Sequence, residues 1–349
     1  MILKNIIRII LLLIGYQFFT TKSQSQPALP KKLQKELLNY VWVNPQVGNR
    51  PLLGTYLEPE PGSNSLDMRL PEHYEPLLDT FSFIGAFVAK TEITANQYFI
   101  FLRDSLKLAQ NDSNAIKNLI PACTPTAFFQ KFCFSESEKL IYNPDYQQYP
   151  VVCVNYSQVL AYCSWLSNRL KKLIAQEKNS SAIEISVRIP TDLEYEFLLN
   201  ASKVTQDNCG AFPLDAGSCA QFTENDGFKF LNPVRAFPAN GLGLFGLYGN
   251  VAEWTQDDLG EIIVRDIRAY RRFMNEQRDE AQLNIPTPVD DARNYEDIYN
   301  QFREIKVIKG AAYCTTPYRV KGASRGACAI NEAKCWIGFR TIIEITENK

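Results

Sequence analysis

A chain of 349 residues with 46% apolar and 12% aromatic content can bury one large core or two ordinary ones. Its 37 basic and 38 acidic residues leave a formal charge of -1 and form no dense basic run, so the electrostatic footprint of a nucleic-acid binder is missing and no such partner is expected. The first segment places Lys4 and Arg8 ahead of an apolar run from Ile9 to Phe19. Thr21/Ser23 and Ser23/Ser25 then stand at cleavage spacing. Residues 1–25 read as a signal peptide, with an uncleaved anchor as the rival, because spanning a bilayer takes about 20 apolar residues. No cysteine lies near this segment to carry a lipid anchor.

Residues 26–76 are rich in Pro, Gln, Asn and Gly and read as an extended lead-in, with a helical turn or two over Lys31 to Leu38 and a short strand over Leu53 to Leu57. The denser pattern opens at FSFIGAFVAKTEIT, a strand, followed by a helix from Asn96 that Asn96 or Thr94 can cap. YPVVCVNYSQVLAYC repeats the arrangement, with a strand over Val151 to Val154 and Ser157 capping an amphipathic helix. In VRIPTDLEYEFLLNAS a strand leads to a helix capped by Thr191, with Glu194 completing a capping box. Residues 209–254 are dominated by Gly, Pro, Asn and aromatics, so packing, ions or disulfides must order them. A charged stretch at about 257–303, interrupted by Pro286 and Pro288, reads as a surface insertion. Nine cysteines in an exported chain favour disulfides, with one left over and the connectivity open. Zinc lacks Cys-x-x-Cys pairs, and His73 is the only histidine.

GLGLFGLYGNVAEWTQD (Gly241 to Asp257) carries the strongest motif. It is joined in order by KTEITANQY at Lys90, YPVVCVNYSQVLAYC at Tyr149, RIPTDLEYEF at Arg188, DGF at Asp226, KGAAY at Lys309 and IGFR at Ile337. Together they resemble the formylglycine-generating-enzyme (sulfatase-modifying factor) superfamily from about Phe81 to Arg340. The resemblance implies a single α+β domain over 77–345 with much irregular structure, related in shape to C-type lectin domains. It also implies calcium, which suits oxygen ligands. One site would use Asp226 and the carbonyl of Phe228; the other would use Glu253 with the carbonyls of Gly249 and Val251. Gly246 stands where the family has an Asn ligand, which takes one donor from the second site. The alternative for Glu253 is a structural carboxylate bonded to loop amides, since a buried acid needs a partner.

The family's oxidase activity rests on two copper-binding cysteines, soft ligands for a soft ion. Counted from Tyr313, those positions hold Thr315 and Val320. A second branch uses three iron-binding histidines, which a chain with His73 alone cannot supply. No catalytic residue is therefore assigned. The ending KGAAYCTTPYRVKGASRGACAINEAKCWIGFR resembles the non-catalytic gliding-motility lipoprotein K group of the type IX secretion apparatus, through Gly322, Ser324, Arg325 and Ile337 to Arg340. This resemblance implies an exported scaffold at the periplasm or the periplasmic face of the outer membrane. Its expected partners are secretion or gliding proteins, with peripheral membrane association, and its contact surface is the 257–303 insertion with the loop from Asn208 to Asp226. The rivals are a divergent copper oxidase pairing Cys314 with Cys328 or Cys335, and a carbohydrate or cell-wall binding module, which rests on fold analogy alone.

Overall fold

The structure, a computed structural model of the chain, describes residues 26–27, 29–52, 77–123, 141–176, 183–200, 231–265, 268, 292–313 and 325–347. The expected leader, the strand at 53–57, His73, Asp226, Phe228 and the 314–324 stretch lie outside the described residues. Among the described residues no helix is long and apolar enough to cross a membrane.

Helix α1 (Lys31–Glu36) buries Leu33 in the main core and leads through a short 3-10 turn, which buries Leu37, into strand β1 (Tyr40–Val43). Strands β2 (Gln46–Leu52) and β3 (Leu77–Phe83) form a two-stranded antiparallel ribbon. Strand β1 pairs antiparallel with β4 (Ala86–Ala89), so residues 31–43 of the Pro- and Gln-rich lead-in belong to the packed body. Helix α2 (Ala95–Leu108) starts at Thr94, whose hydroxyl accepts from Gln97 N while the Gln97 side chain takes the Thr94 N–H. That reciprocal box is the capping geometry the sequence offers there.

Helix α3 (Tyr156–Ala175) is capped by Asn155 with Gln158, not by Ser157. The expected strand at 151–154 is a buried irregular connector. An isolated bridge between Thr94 and Pro150 precedes it, Val151 N bonds the Ile93 carbonyl, and Cys153 takes φ +61° and bonds Cys123. A residue in the left-handed region cannot continue an extended strand. Strand β5 (Ile183–Arg188) leads to helix α4 (Asp192–Asn200). Strands β6 (Ala252–Asp258), β7 (Ile305–Lys309), β8 (Gly326–Ala329) and β9 (Ile337–Gly338) form a sheet in the order β8-β7-β6-β9, with β6 and β9 parallel. Strand β10 (Ile342–Glu347) closes the other sheet, β1-β4-β10-β5, which is antiparallel throughout. The described residues form the expected α+β arrangement, with helices packed on two mainly antiparallel sheets.

The main core lies where α2 and α3 meet the Gly-rich loop and the second sheet. Tyr162 stacks on Tyr98 at 5.9 Å and meets Phe339 edge-on at 5.2 Å, while Trp254, fully buried, donates from Nε1 to the Val154 carbonyl at 3.1 Å. Burying such rings supplies the apolar area that outweighs the ordering of the long loops.

The insertion's two flanks are packed into the body. Residues 259–265 are helical and helix α5 spans Ala292–Phe302; Leu259, Ile262 and Ile263 bury against Val307, bordered by Ile298 and Phe302. Gly260 allows the crossing, because a Cβ there would stand 3.0 Å from the Tyr299 backbone.

Candidate functional site

Helix α4 begins with the Thr191 box: Glu194 N bonds the Thr191 hydroxyl at 3.2 Å and Thr191 N bonds Glu194 Oε2 at 2.8 Å. Helical spacing then places Asp192, Tyr195 and Glu196 on one face. That face lies over β6 and β7, where Glu253 and Lys309 stand opposite each other in register and so project from the same side of the sheet. Two buried ionic clusters result.

The first centres on Asp192, whose carboxylate is inaccessible to solvent. Arg325 reaches it with Nε at 2.9 Å and Nη2 at 2.8 Å, Lys309 Nζ lies 3.5 Å from Oδ1, and Arg265 from the insertion's first flank lies 3.7 Å from Oδ2. Lys309 also approaches Glu196 at 3.7 Å, and Asp192 N donates to Asp257 Oδ2 at 2.6 Å. Burial pushes the Asp257 carboxyl up, against that hydrogen bond. Beside this cluster, Arg188 forks onto Glu194 with two bonds of 2.7 Å and reaches Glu344 on β10, tying α4 to the first sheet.

The second centres on Glu253 and Arg340, both fully buried. Arg340 donates from Nε to Oε2 at 2.7 Å and from Nη2 to Oε1 at 2.6 Å, and Nη2 also reaches the Phe245 carbonyl at 2.9 Å. The Tyr195 hydroxyl donates to the Leu247 carbonyl at 3.1 Å. Glu92, buried beside them, accepts from Asn250 Nδ2 at 2.9 Å through Oε1, while Oε2 has no hydrogen-bond partner. Burial pushes the Glu92 carboxyl up to about 8, with Glu253 adding to the rise and Arg340 opposing it. At Glu253 burial also pushes upward, with Arg340 as the main opposing influence.

Glycines make room for both approaches. At Gly246 (φ +61°) a Cβ would meet the Glu92 carboxyl carbon at 2.6 Å; at Gly310 (φ +91°) it would collide with the Tyr195 hydroxyl and stand 3.0 Å from the Leu247 carbonyl. Gly310→Ala adds left-handed backbone strain to that collision. It is expected to cost at least about 2 kcal/mol of unfolding free energy in a denaturant titration. A loss under about 0.5 kcal/mol, the range of inert surface changes, would show that the tyrosine moves freely.

Of the residues expected to hold calcium, Gly249, Val251 and Glu253 lie in one buried stretch that runs from the Gly-rich loop into β6, and Asp226 and Phe228 lie outside the described residues. The Glu253 carboxylate bonds a guanidinium on both oxygens, which differs from the calcium expectation and from the loop-amide alternative. Among the described residues no three acidic, cysteine or histidine side chains converge as metal ligands. Glu92, Asp192, Glu196, Lys309, Arg325 and Arg340 are the residues that sequence reasoning left without a role.

The region where the oxidase pair would stand, Thr315 and Val320 with Cys314, lies outside the described residues. At its borders Tyr313 and Trp336 are buried, and Tyr313 Oη stands 3.5 Å from Cys335 Sγ. Cys335 is disulfide-bonded, as are Cys123 and Cys153. Cys163 and Cys328 are buried thiols, and burial pushes the Cys163 thiol up to about 12, which makes it a poor nucleophile.

Residues 60–345 match the family model described as the sulfatase-modifying factor enzyme 1-like domain. The chain belongs to that family. Members similar to it include the formylglycine-generating enzyme of Mycobacterium tuberculosis, 24% identical over 209 residues that cover 56% of this chain and 58% of that protein. The formylglycine-generating enzyme of Mus musculus is 29% identical over 129 residues, 31% of this chain and 27% of the enzyme. The inactive C-alpha-formylglycine-generating enzyme 2 of Mus musculus is 32% identical over 162 residues, covering 40% and 42%. The match thus spans less than two thirds of these sulfatase-modifying-factor relatives. Among solved structures, PvdO from Pseudomonas aeruginosa aligns over 86% of this chain and 95% of its own, at 21% identity and a TM-score of 0.48.

Proposed function

We propose that this member of the sulfatase-modifying factor family is an exported, non-catalytic platform that binds protein partners as a component or accessory of a type IX secretion or gliding apparatus. The observation that carries this reading is Thr315 and Val320 at the positions of the copper cysteines. Neither can hold a soft ion. Buried ionic clusters brace α4 against the second sheet, as a rigid binding body requires. The insertion supports a partner role because its flanks are anchored, through Arg265 at Asp192 and through the apolar contacts around Val307.

Arg268 and Tyr295 stand against each other, guanidinium over ring at 4.9 Å, so the chain between them can be excised and closed with a short linker without opening those contacts. Full-length protein carrying an affinity tag is expected to capture periplasmic or outer-membrane secretion proteins from its native host. The variant lacking 270–290 is expected to lose most of them at unchanged melting temperature. Identical capture by both proteins would remove the insertion from the partner surface, and capture of no envelope protein by either would sink the platform reading.

A further inference from the structure

Helix α1 and the 3-10 turn after it precede residues 60–345, the stretch that matches the family, so the family match does not account for them. Leu33 and Leu37 turn inward to the core. Opposite them, the helical period brings Lys31, Lys35 and Leu38 to one outward stripe, with Lys32 beside it. All four are exposed, Leu38 to 70%. The packed body adds two more cations around that leucine. Lys90 Nζ donates to the Leu38 carbonyl at 2.9 Å, and Arg235, its guanidinium over the Phe245 ring at 5.1 Å, reaches the Asn39 side chain at 3.4 Å. The acid of α1, Glu36, turns aside to meet Arg169 at 3.5 Å, which also pairs with Asp104.

A neutral apolar partner covering this leucine would have to strip water from the cations around it without repaying them. A surface that is negative outside and apolar within repays both. We propose that this face docks on a phospholipid leaflet, with Lys31, Lys32, Lys35, Lys90 and Arg235 at the level of anionic phosphates and Leu38 entering the acyl boundary. Each cation near such a surface strengthens binding about fivefold, and an apolar side chain beside a basic cluster supplies the second signal that lasting association takes. The inference rests on the reading of the chain as exported to an envelope membrane but not on its secretion partners, so vesicle binding can fail while partner capture succeeds, and the reverse.

The test uses the protein as its host exports it, purified without detergent and floated with phosphatidylcholine vesicles that contain or lack phosphatidylglycerol. It is expected to float with the anionic vesicles, to stay behind with the neutral ones and to be released by high salt, which screens the attraction. Lys31→Gln with Lys35→Gln is expected to weaken binding at least about tenfold, and Leu38→Ser about threefold or more. Both variants are expected to keep the parent melting temperature, because all three side chains face solvent. Equal binding to neutral vesicles, or binding that neither variant weakens, would overturn the proposal and assign the membrane contact to the apolar leader or another element. Absence of binding to either vesicle would overturn it too. Capture of an acidic host protein, lost in both variants and without vesicle binding, would make the face a protein-docking surface instead.

Discussion

Asp192→Asn is expected to lower the free energy of unfolding by about 3–5 kcal/mol, the cost of stranding buried charge. Asn keeps the shape of the side chain but turns one acceptor into a donor facing Arg325, and it leaves Arg325 and Lys309 inaccessible to solvent with less negative charge beside them. The loss comes from the stranded cations more than from a missing bond. The double variant Asp192→Leu with Arg325→Met is therefore expected to recover a large part of the deficit, giving a coupling energy of about 2 kcal/mol or more in a double-mutant cycle. Urea titrations at neutral pH measure both. A single-variant loss under about 1 kcal/mol, or additive effects, would show that the cluster does not brace α4.

The second large effect is a fall in stability with rising pH that disappears in Glu92→Gln. Glu92 is fully buried with one oxygen unbonded, and burial raises its folded carboxyl to about 8, whereas an unfolded Glu releases its proton near 4.5. Between those values the folded chain holds a proton that the unfolded chain has lost. This contribution is complete below the ordinary Glu value and is lost as pH rises towards 8, at up to about 1.4 kcal/mol per pH unit, levelling beyond. Gln reproduces the shape of the protonated acid, and its oxygen still accepts from Asn250. The slope difference between the parent and Glu92→Gln isolates this residue from Glu194, whose carboxyl is held low by Arg188 and which acts in the opposite direction at acid pH. The variant is expected to be the more stable protein at pH 8 and to show the flatter profile. Parallel profiles from pH 5 to 8 would place the proton elsewhere.

The helix starts at Thr94 and Thr191 were legible because a capping box is a local exchange between residues three apart. At 155–158 the same logic misleads by two positions: Ser157 is a good cap by type, but Asn155 has Gln158 three residues on to return the bond. The run Val151 to Val154 has strand composition. A short apolar run does not by itself distinguish a strand from a buried connector, and here the left-handed Cys153 and its bond to Cys123 decide. The helical turns over Lys31 to Leu38 were legible, but their packing into the body and the pairing of β1 were masked by Pro- and Gln-rich surroundings, although Leu33 and Leu37 at helical spacing supply the buried face.

The site was half visible. Glu253 stands inside a recognisable motif. Its partner Arg340 lies 87 residues away, and Asp192 and Arg325 are 133 apart, separations at which pairing cannot be read from one sequence. Two local signals could have raised suspicion. Lys309 is a cation directly after the apolar pair Val307 and Ile308, and Asp192 and Glu196 sit four apart on a helix whose other residues are largely apolar. A buried charge in such a setting demands a partner of opposite sign.

We propose that this sulfatase-modifying-factor domain carries no oxidase. Full-length protein with its disulfides intact is to be loaded with Cu(I), desalted and assayed for bound copper, then incubated with a cysteine peptide in air while mass spectrometry follows the conversion of the thiol to the aldehyde. The account predicts no stoichiometric copper and no aldehyde above the rate of a control lacking protein. Copper retained at one per chain, with aldehyde formation abolished by Cys314→Ser, would contradict it and make the chain an enzyme with a rearranged cysteine pair.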